Sequence, residues 1–206
     1  MTIYPKKSFA YNVRFASGLA LLVLLCVFDW SATTELIKQS PVTAAAMVPI
    51  AWLLGLGIYY FYRANFYYPL MAVSDALGTE NYRNYIRQEF VIDGNWLQST
   101  ITADRLFVAV GKKSIVTERE EYNFSATHLF YQSAILAFLL SIAALCLSLF
   151  GKAAILCVIG FAFALTAHQL NNQVEHEDLL FLRSKQRELQ KKASHMGFVK
   201  RVRNKQ

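Results

Sequence analysis

Charged side chains are almost absent from four long stretches of this sequence. The apolar stretches run over residues 13–30, 43–62, 127–149 and 153–170, and within them only Arg14 and Asp29 carry charge. A helix needs about 20 apolar residues to cross a ~30 Å hydrocarbon core, and each stretch approaches that length. The absence of charge therefore predicts an integral membrane protein with four transmembrane helices.

Positive charge is scarce on one side of these stretches. Of the 21 Lys and Arg residues, only Lys38 lies between the first two stretches and only Lys152 between the last two. All others precede the first stretch, lie at its start (Arg14), separate the second from the third, or follow the fourth. Because translocating positive charge is unfavourable, the basic side stays cytoplasmic. We expect an all-α polytopic membrane protein with both termini inside, located in a cell membrane, with a bacterial inner membrane as the working assignment.

This topology divides the chain into five parts. We expect a cytoplasmic lead over residues 1–12, a first transmembrane hairpin over 13–62, and a small cytoplasmic segment over 63–126. A second hairpin follows over 127–170, and a basic, helical cytoplasmic tail over 171–206. The external connections are expected to be a polar loop over Ser31–Val42 and a tight turn at Phe150-Gly151-Lys152. Such short connections leave little surface for an outside ligand.

Catalytic signatures are missing. The three cysteines, Cys26, Cys146 and Cys157, all fall in apolar stretches, which fits neither a disulfide framework nor a metal-ligand spacing. The sequence also has no Gly-rich phosphate loop and no nucleophile elbow. Ionisable residues at mid-membrane depth and transporter-type internal repeats are absent too. We therefore expect a protein that is not an enzyme and carries no cofactor.

Although the sequence lacks a metal-binding motif, two histidines suggest a possible arrangement for a metal site. His128 begins the third stretch and His168 lies near the end of the fourth, so a tight hairpin would bring both rings near one interface. With Glu175 they form a weak candidate metal site, because two histidines and a carboxylate can bind zinc. The alternative is that both rings are amphipathic interface residues bonded to backbone or water.

Aromatic residues are concentrated at the ends of the first two stretches. Trp and Tyr are enriched at membrane–water interfaces, where an arginine can extend its charged end to water. We therefore predict a membrane-interface belt, with a nucleotide-stacking platform as the alternative. The belt comprises Trp30, Tyr59, Tyr60, Tyr62, Arg63, Phe66, Tyr67 and Tyr68.

Two patterns predict helix association. Small residues recur along the third and fourth stretches, and in lipid such residues let helices approach closely. After the fourth stretch, apolar residues recur at alternating three- and four-residue spacings, which is typical of a coiled-coil seam. Self-association and packing on the cytoplasmic segment are the two alternatives for this seam. The predicted oligomer interface comprises Ser133, Ala137, Ser141, Gly160, Ala164, Leu179, Leu182, Gln186, Leu189 and Met196, with Ala193 also on the seam.

The tail is strongly basic. Basic residues beside a membrane exit are attracted to anionic head groups, at about 1 kcal/mol for each Lys or Arg near the surface. Nucleic acid is the less favoured partner of the same charge. The predicted anionic-lipid contacts are Lys191, Lys192, Lys200, Arg201, Arg203 and Lys205.

The cytoplasmic segment has an ambiguous second half. Residues 95–117 fit either a β-hairpin that turns at Gly111 or a helix over 96–110, because short apolar runs do not separate the two. Downstream, Glu118, Glu120 and Glu121 favour the start of a helix that runs into the third stretch.

The leading functional hypothesis is a non-enzymatic, homo-oligomeric membrane assembly that responds to a state of the membrane or of the cytoplasm, with pore formation or bilayer perturbation as its output. Its layout is similar to that of small membrane components of bacterial defence systems, an analogy that rests on no motif. The alternative is an anchor that recruits a soluble cytoplasmic partner through residues 64–126. A third hypothesis is an interfacial enzyme or metal site around His128 and His168.

Overall fold

The structure, a computed structural model, describes residues 6–77, 80–92, 94–111 and 118–199. In those ranges every regular element is an α-helix, which confirms the all-α prediction. The helices are α1 (Lys6–Phe28), α2 (Trp30–Gln39), α3 (Pro41–Asn65), α4 (Tyr67–Ala76), α5 (Tyr82–Glu89), α6 (Trp96–Val110), α7 (Glu118–Cys146), α8 (Phe150–Ser184) and α9 (Gln186–His195).

Three of these helices are long and apolar enough to cross a membrane: α3, α7 from Asn123 onward, and α8. Helix α1 from Phe15 onward and α2 pass the same test only as a pair, and they are bent by 105° at Asp29. The described residues therefore contain three candidate spans, or four when the bent pair is counted.

The connection between the first two predicted spans is helical, which corrects the expected loop over Ser31–Val42. Asp29 begins α2: its Oδ1 accepts hydrogen bonds from the Ala32 amide at 3.2 Å and the Ser31 hydroxyl at 2.8 Å. An aspartate at this position satisfies backbone donors that the first turn of a helix leaves open. Asp29, which directly follows α1, is thus the N-terminal cap of α2.

The turn between α7 and α8 lies three residues before the predicted one, because α7 ends at Cys146 and Phe150 already begins α8. The Leu149 amide donates to the Ala144 carbonyl at 2.8 Å, and the Ser148 amide donates to the Leu145 carbonyl at 2.9 Å. Ser148 adopts a φ of 60°. These are the bonds of a Schellman cap, and this cap determines where α7 stops.

The chain divides into two compact units. We call Met1–Ala64 with Glu118–Leu170 the span unit, and Asn65–Thr117 with Asn171–Gln206 the network unit. The span unit contains α1, α2, nearly all of α3, α7 and the first part of α8, whereas the network unit contains α4, α5, α6, the last part of α8 and α9. Each unit draws on chain segments from both sides of α7.

In the span unit, α1 and α3 meet at glycines. A Cβ atom on Gly18 would collide with the backbone of Ala51, and one on Gly55 would collide with the backbone of Phe15. The Ser17 hydroxyl donates to the Gly55 carbonyl at 3.1 Å. Only residues without a side chain permit two backbones to approach this closely, so Gly18 and Gly55 set the crossing.

Small residues also line the contact between α7 and α8. The Ser141 hydroxyl donates to the Ala153 carbonyl at 2.8 Å, and Gly160 lies against the ring of Phe138. One buried apolar cluster holds α1 against this pair, and it consists of Leu24, Ala137, Ala144, Ala153 and Leu156. Three residues of the predicted oligomer interface, Ala137, Ser141 and Gly160, are thus in contacts within the chain.

The network unit has an apolar core of its own. Helix α6 begins with a capping box in which Asn95 and Gln98 bond each other's backbone amides, and it runs through the stretch for which a hairpin was the alternative. The helical alternative is therefore correct for 96–110, while residues 112–117 lie outside the described ranges. The core comprises Tyr82, Ile86, Phe90, Ala103, Leu106, Val110, Leu179, Leu182, Leu189 and Ala193.

Candidate functional site

A buried ionic network lies inside the network unit, and Arg83 is at its centre. The side chain of Arg83 is only 2% exposed. Its Nε donates to Asp75 Oδ1 at 3.0 Å, and its Nη1 donates to the Tyr82 hydroxyl at 2.7 Å. Its Nη2 donates to Glu175, and its Nη1 lies 3.7 Å from Asp104 Oδ1. One guanidinium group thus joins α4, α5, α6 and α8.

Asp75 is shared by two arginines. Its Oδ2 also accepts from Arg87 Nη2 at 2.8 Å, and its Oδ1 accepts from Asn81 Nδ2 at 2.9 Å. Arg87 in turn donates from Nε to the Ser99 hydroxyl of α6 at 2.6 Å. Because the fork of a guanidinium group fixes its partners in both distance and direction, these bonds define how α4, α5 and α6 are positioned.

Glu175 brings the tail into the network. Its Oε1 accepts from Arg83 and from Asn171 Nδ2, the latter at 2.7 Å. Its Oε2 is buried and accepts no hydrogen bond from the described residues. Asn171 also contacts the Ser74 hydroxyl of α4 at 3.4 Å. The network unit therefore depends on a carboxylate that enters its interior from α8.

The electrostatics of the network hold Arg83 in its charged form. Burial alone would lower the pKa of Arg83, but the carboxylates of Glu175 and Asp75 raise that pKa well above its ordinary value. Burial, with Asp104 adding to it, raises the pKa of Tyr82, which keeps its hydroxyl protonated. That hydroxyl donates to Asp104 and accepts from Arg83. Three carboxylates surround two guanidinium groups here.

This arrangement is suited to holding helices together. Buried charges are tolerated where they are paired and hydrogen-bonded, and removal of one partner leaves an uncompensated charge. The acid–base groups of an enzyme must reach a substrate, whereas Asp75, Arg83 and Glu175 are all buried. The geometry therefore gives these residues a structural role, as the ionic connection between α8 and the helices α4 to α6.

Sequence reasoning missed this network. The usable signal was on α5, where Arg83 shares a helix face with Ile86 and Phe90 at helical spacing, so an arginine occupies a position expected to be buried. No pattern in the sequence identified Asp75 or Glu175 as the partners of Arg83.

Most residues of the predicted coiled-coil seam pack against other helices of the same chain. Leu179, Leu182, Leu189 and Ala193 belong to the core of the network unit, where they pack with residues of α5 and α6. Gln186 and Met196 are exposed. This is the intrachain alternative, and the placement gives no support to a coiled coil between copies. The remaining residues of the predicted interface, Ser133 and Ala164, lie in the span unit as buried and half-buried side chains.

The predicted aromatic belt is divided between exposed and buried rings. Trp30 and Tyr60 are exposed, whereas Tyr59, Arg63, Phe66 and Tyr68 are half-buried. Tyr62 and Tyr67 are buried within the protein, and their place at a membrane interface stays a prediction. The hydroxyl of Tyr62 lies 3.2 Å from His128 Nδ1.

The weak metal candidates are placed separately. His128 is buried in the span unit beside Phe124 and Tyr62, and His168 is a half-buried residue of the same unit. Glu175 belongs to the network unit, where Arg83 binds it. Among the described residues no three His, Cys, Asp or Glu side chains form a group that could hold a metal ion.

The predicted lipid contacts of the tail are described in part. Lys191 and Lys192 are exposed on α9. Lys200, Arg201, Arg203 and Lys205 lie outside the described residues.

Comparison with known proteins gave no relatives. No family model, no curated protein and no solved structure matches this chain.

Proposed function

We propose that this is a non-enzymatic, multi-pass membrane protein that anchors a folded helical unit at the cytoplasmic face and recruits a soluble partner through it. The observation that carries the proposal is the construction of the network unit. Two chain segments separated by the α7–α8 hairpin share one apolar core and one buried ionic network. A connection that only joined two spans would need neither.

The topology we propose has four spans, with both termini and the network unit in the cytoplasm. Helix α1 supplies the first span, followed by α3, α7 and the first part of α8. The basis is the distribution of Lys and Arg, of which only Lys38 and Lys152 fall on the opposite side. In a bacterium this assignment corresponds to the inner membrane.

The partner surface we propose is an open groove of about 500 Å³ in the network unit. It is lined by Val91, Ile92, Thr102 and the residues Gly197, Phe198 and Val199. The Val91 amide donates to the Val199 carbonyl at 3.0 Å, which joins the two sides of the groove. Val91 and Val199 are exposed, and an apolar side chain of a partner would cover them.

Site-specific photo-crosslinking in the membrane of the living cell tests this function. A crosslinking residue replaces Val91 in the full-length chain, and the matched control places it at the exposed polar position Gln186. We expect a discrete adduct with a soluble protein from position 91 and none from position 186. Adducts that are absent at both positions, or identical at both, would contradict recruitment through this groove.

The second candidate is the self-assembled, membrane-responsive pore, and one observation favours it. From Ala45 to Ile50 every residue of α3 is exposed, so no face of this half-helix packs on the described chain. Another copy could supply that packing, since α3 carries small residues at this end. Native mass spectrometry of the protein in nanodiscs distinguishes the candidates: a discrete oligomer with ion flux favours the pore, and a monomer without flux favours the anchor.

A further inference from the structure

Among the residues that the structure describes, helix α2 has no buried side chain. It follows α1 at an angle of 105°, and after Ser40 the chain enters α3. With α1 and α3 as spans, both ends of α2 lie at the same boundary of the bilayer. A ten-residue helix is about 15 Å long, so α2 bridges the external ends of two spans without itself crossing the membrane.

The other external turn lies at the same end of the span unit. The Lys152 ammonium, in the first turn of α8, is positioned over the ring of Phe28 at 5.7 Å from its centroid. Phe28 is the last residue of α1. The bend into α2 and the turn into α8 are therefore neighbours, and both belong to the edge of the span unit.

The residues of α2 are segregated around its axis. Trp30, Thr33, Leu36 and Ile37 share one face at helical spacing, with Thr34 at the edge of that face. Trp30 is 69% exposed and Ile37 is 52% exposed, so the described residues leave the two largest side chains of this face mostly uncovered. Glu35 lies on the opposite side of the helix.

The hydroxyl groups on the apolar face are already bonded within the helix. Thr33 Oγ1 donates to the Asp29 carbonyl and Thr34 Oγ1 donates to the Ser31 carbonyl, each at 2.8 Å. Because these hydroxyls need no water, the two threonines can turn their methyl groups toward a low-dielectric surface at little cost.

We propose that α2 is an interfacial helix that lies on the outer leaflet, with Trp30 and Ile37 inserted at the boundary between head groups and acyl chains. An amphipathic helix with tryptophan on its apolar face is suited to this depth, where the indole ring finds both apolar and polar surroundings. The inserted face would fix the rotation of α1 and α3 at their external ends. The inference rests on α1 and α3 crossing the bilayer, as in the proposed topology.

Thiol labelling tests the inference and the topology separately. Cys26, Cys146 and Cys157 are replaced by alanine, and single cysteines are then introduced as Glu35→Cys and Ile37→Cys. A membrane-impermeant maleimide is added to intact cells. We expect Glu35→Cys to react about tenfold faster than Ile37→Cys, because only the first faces water. Equal rates would overturn the interfacial helix. Labelling that requires opened cells would overturn the topology but not the interfacial helix, which depends on the ratio of the two rates.

Tryptophan fluorescence provides a second measurement that keeps the native cysteines. In the variant Trp52→Phe/Trp96→Phe, Trp30 is the remaining tryptophan, and the protein is placed in vesicles of brominated phosphatidylcholine. We expect strong quenching by bromines near the head groups and weak quenching by bromines near the chain ends. Strong quenching by deep bromines would indicate a broken span or a re-entrant segment, and quenching by aqueous iodide alone would indicate a loop in water. Either result would overturn the proposal.

Discussion

The two units of this chain bring helices together by different means. In the span unit, backbones meet at Gly18 and Gly55, and a serine hydroxyl bonds a carbonyl of the neighbouring helix. In the network unit, large side chains such as Leu182 and Leu106 are fully buried around an ionic centre at Arg83. In lipid there is little hydrophobic driving force between helices, so close approach of their backbones supplies much of the association. In water, the burial of apolar side chains is the main driving force. This contrast is what we expect if the span unit lies in lipid and the network unit in water, as in the proposed topology.

The largest effect is expected from removing the centre of the ionic network. Arg83→Met leaves Glu175 buried without its counter-charge and leaves Asp75 with Arg87 alone, which we expect to cost about 3–5 kcal/mol of unfolding free energy. Hydrogen exchange of the full chain in nanodiscs would show lost amide protection in α4 to α6. The control is Arg105→Met, since Arg105 is exposed on α6 and its loss should have little effect. If both variants kept full protection, the network would not stabilise this unit.

Truncation of a core leucine should have the next largest effect. Leu182→Ala opens a cavity in the apolar core of the network unit, with an expected cost of about 2–5 kcal/mol. Leu180→Ala is the matched control, because Leu180 is 51% exposed on the same helix. The unfolding free energy of both variants is measured by denaturant unfolding, with limited proteolysis as the readout. A lower oligomer mass for Leu182→Ala, with an unchanged unfolding free energy, would instead indicate that Leu182 lies in an interface between copies.

The next prediction concerns the span unit, where α1 and α3 cross at Gly18 and Gly55. Gly18→Val places side-chain atoms into the backbone of α3 and should destabilise the span unit by about 1–3 kcal/mol through overpacking. Gly57→Val is the control on α3, since a Cβ at Gly57 meets no atom within 4 Å. The fraction of protein that remains monodisperse in detergent after heating reports the difference. Equal losses in both variants would mean that close approach at Gly18 contributes nothing.

The smallest effect concerns a helix end. Asn95→Ala removes the capping box of α6 and should cost about 1 kcal/mol. Asn95→Gly should cost only a few tenths of a kcal/mol, because glycine permits solvation of the open amides. The midpoint of denaturant unfolding is compared between the two variants. A glycine variant as unstable as the alanine variant would argue against capping as the cause.

The membrane part of the fold could be predicted from the sequence because hydrocarbon imposes simple rules. Uncharged stretches over 43–62, 127–149 and 153–170 coincide with parts of α3, α7 and α8. The helix α2 could not be predicted in the same way, since its ten residues mix Thr, Glu and Lys with a few apolar residues. The available signals were Asp29, a strong helix cap placed at the end of an apolar stretch, and the helical spacing of Trp30, Thr33 and Ile37.

The candidate site was much less predictable, because its contacts join residues far apart in sequence. The spacing of Leu179, Leu182 and Leu189 is the same whether the partner helix belongs to another copy or to the same chain. Periodicity indicates which face of a helix is buried and not what covers it. For the same reason, the position of Arg83 on an apolar face is a signal of burial that was overlooked, and it does not reveal Glu175, which lies 92 residues later.

That separation has a consequence for biosynthesis. Ribosomes add roughly 5–20 residues per second, so Glu175 is synthesised about 5–20 seconds after Arg83. During that interval α7 and most of α8 are synthesised, while Arg83 and the apolar faces of α5 and α6 have no tail to pack against. The nascent chain thus carries an unfinished domain until the residues of α9 have been made, and exposed apolar faces of this kind are prone to proteolysis and aggregation.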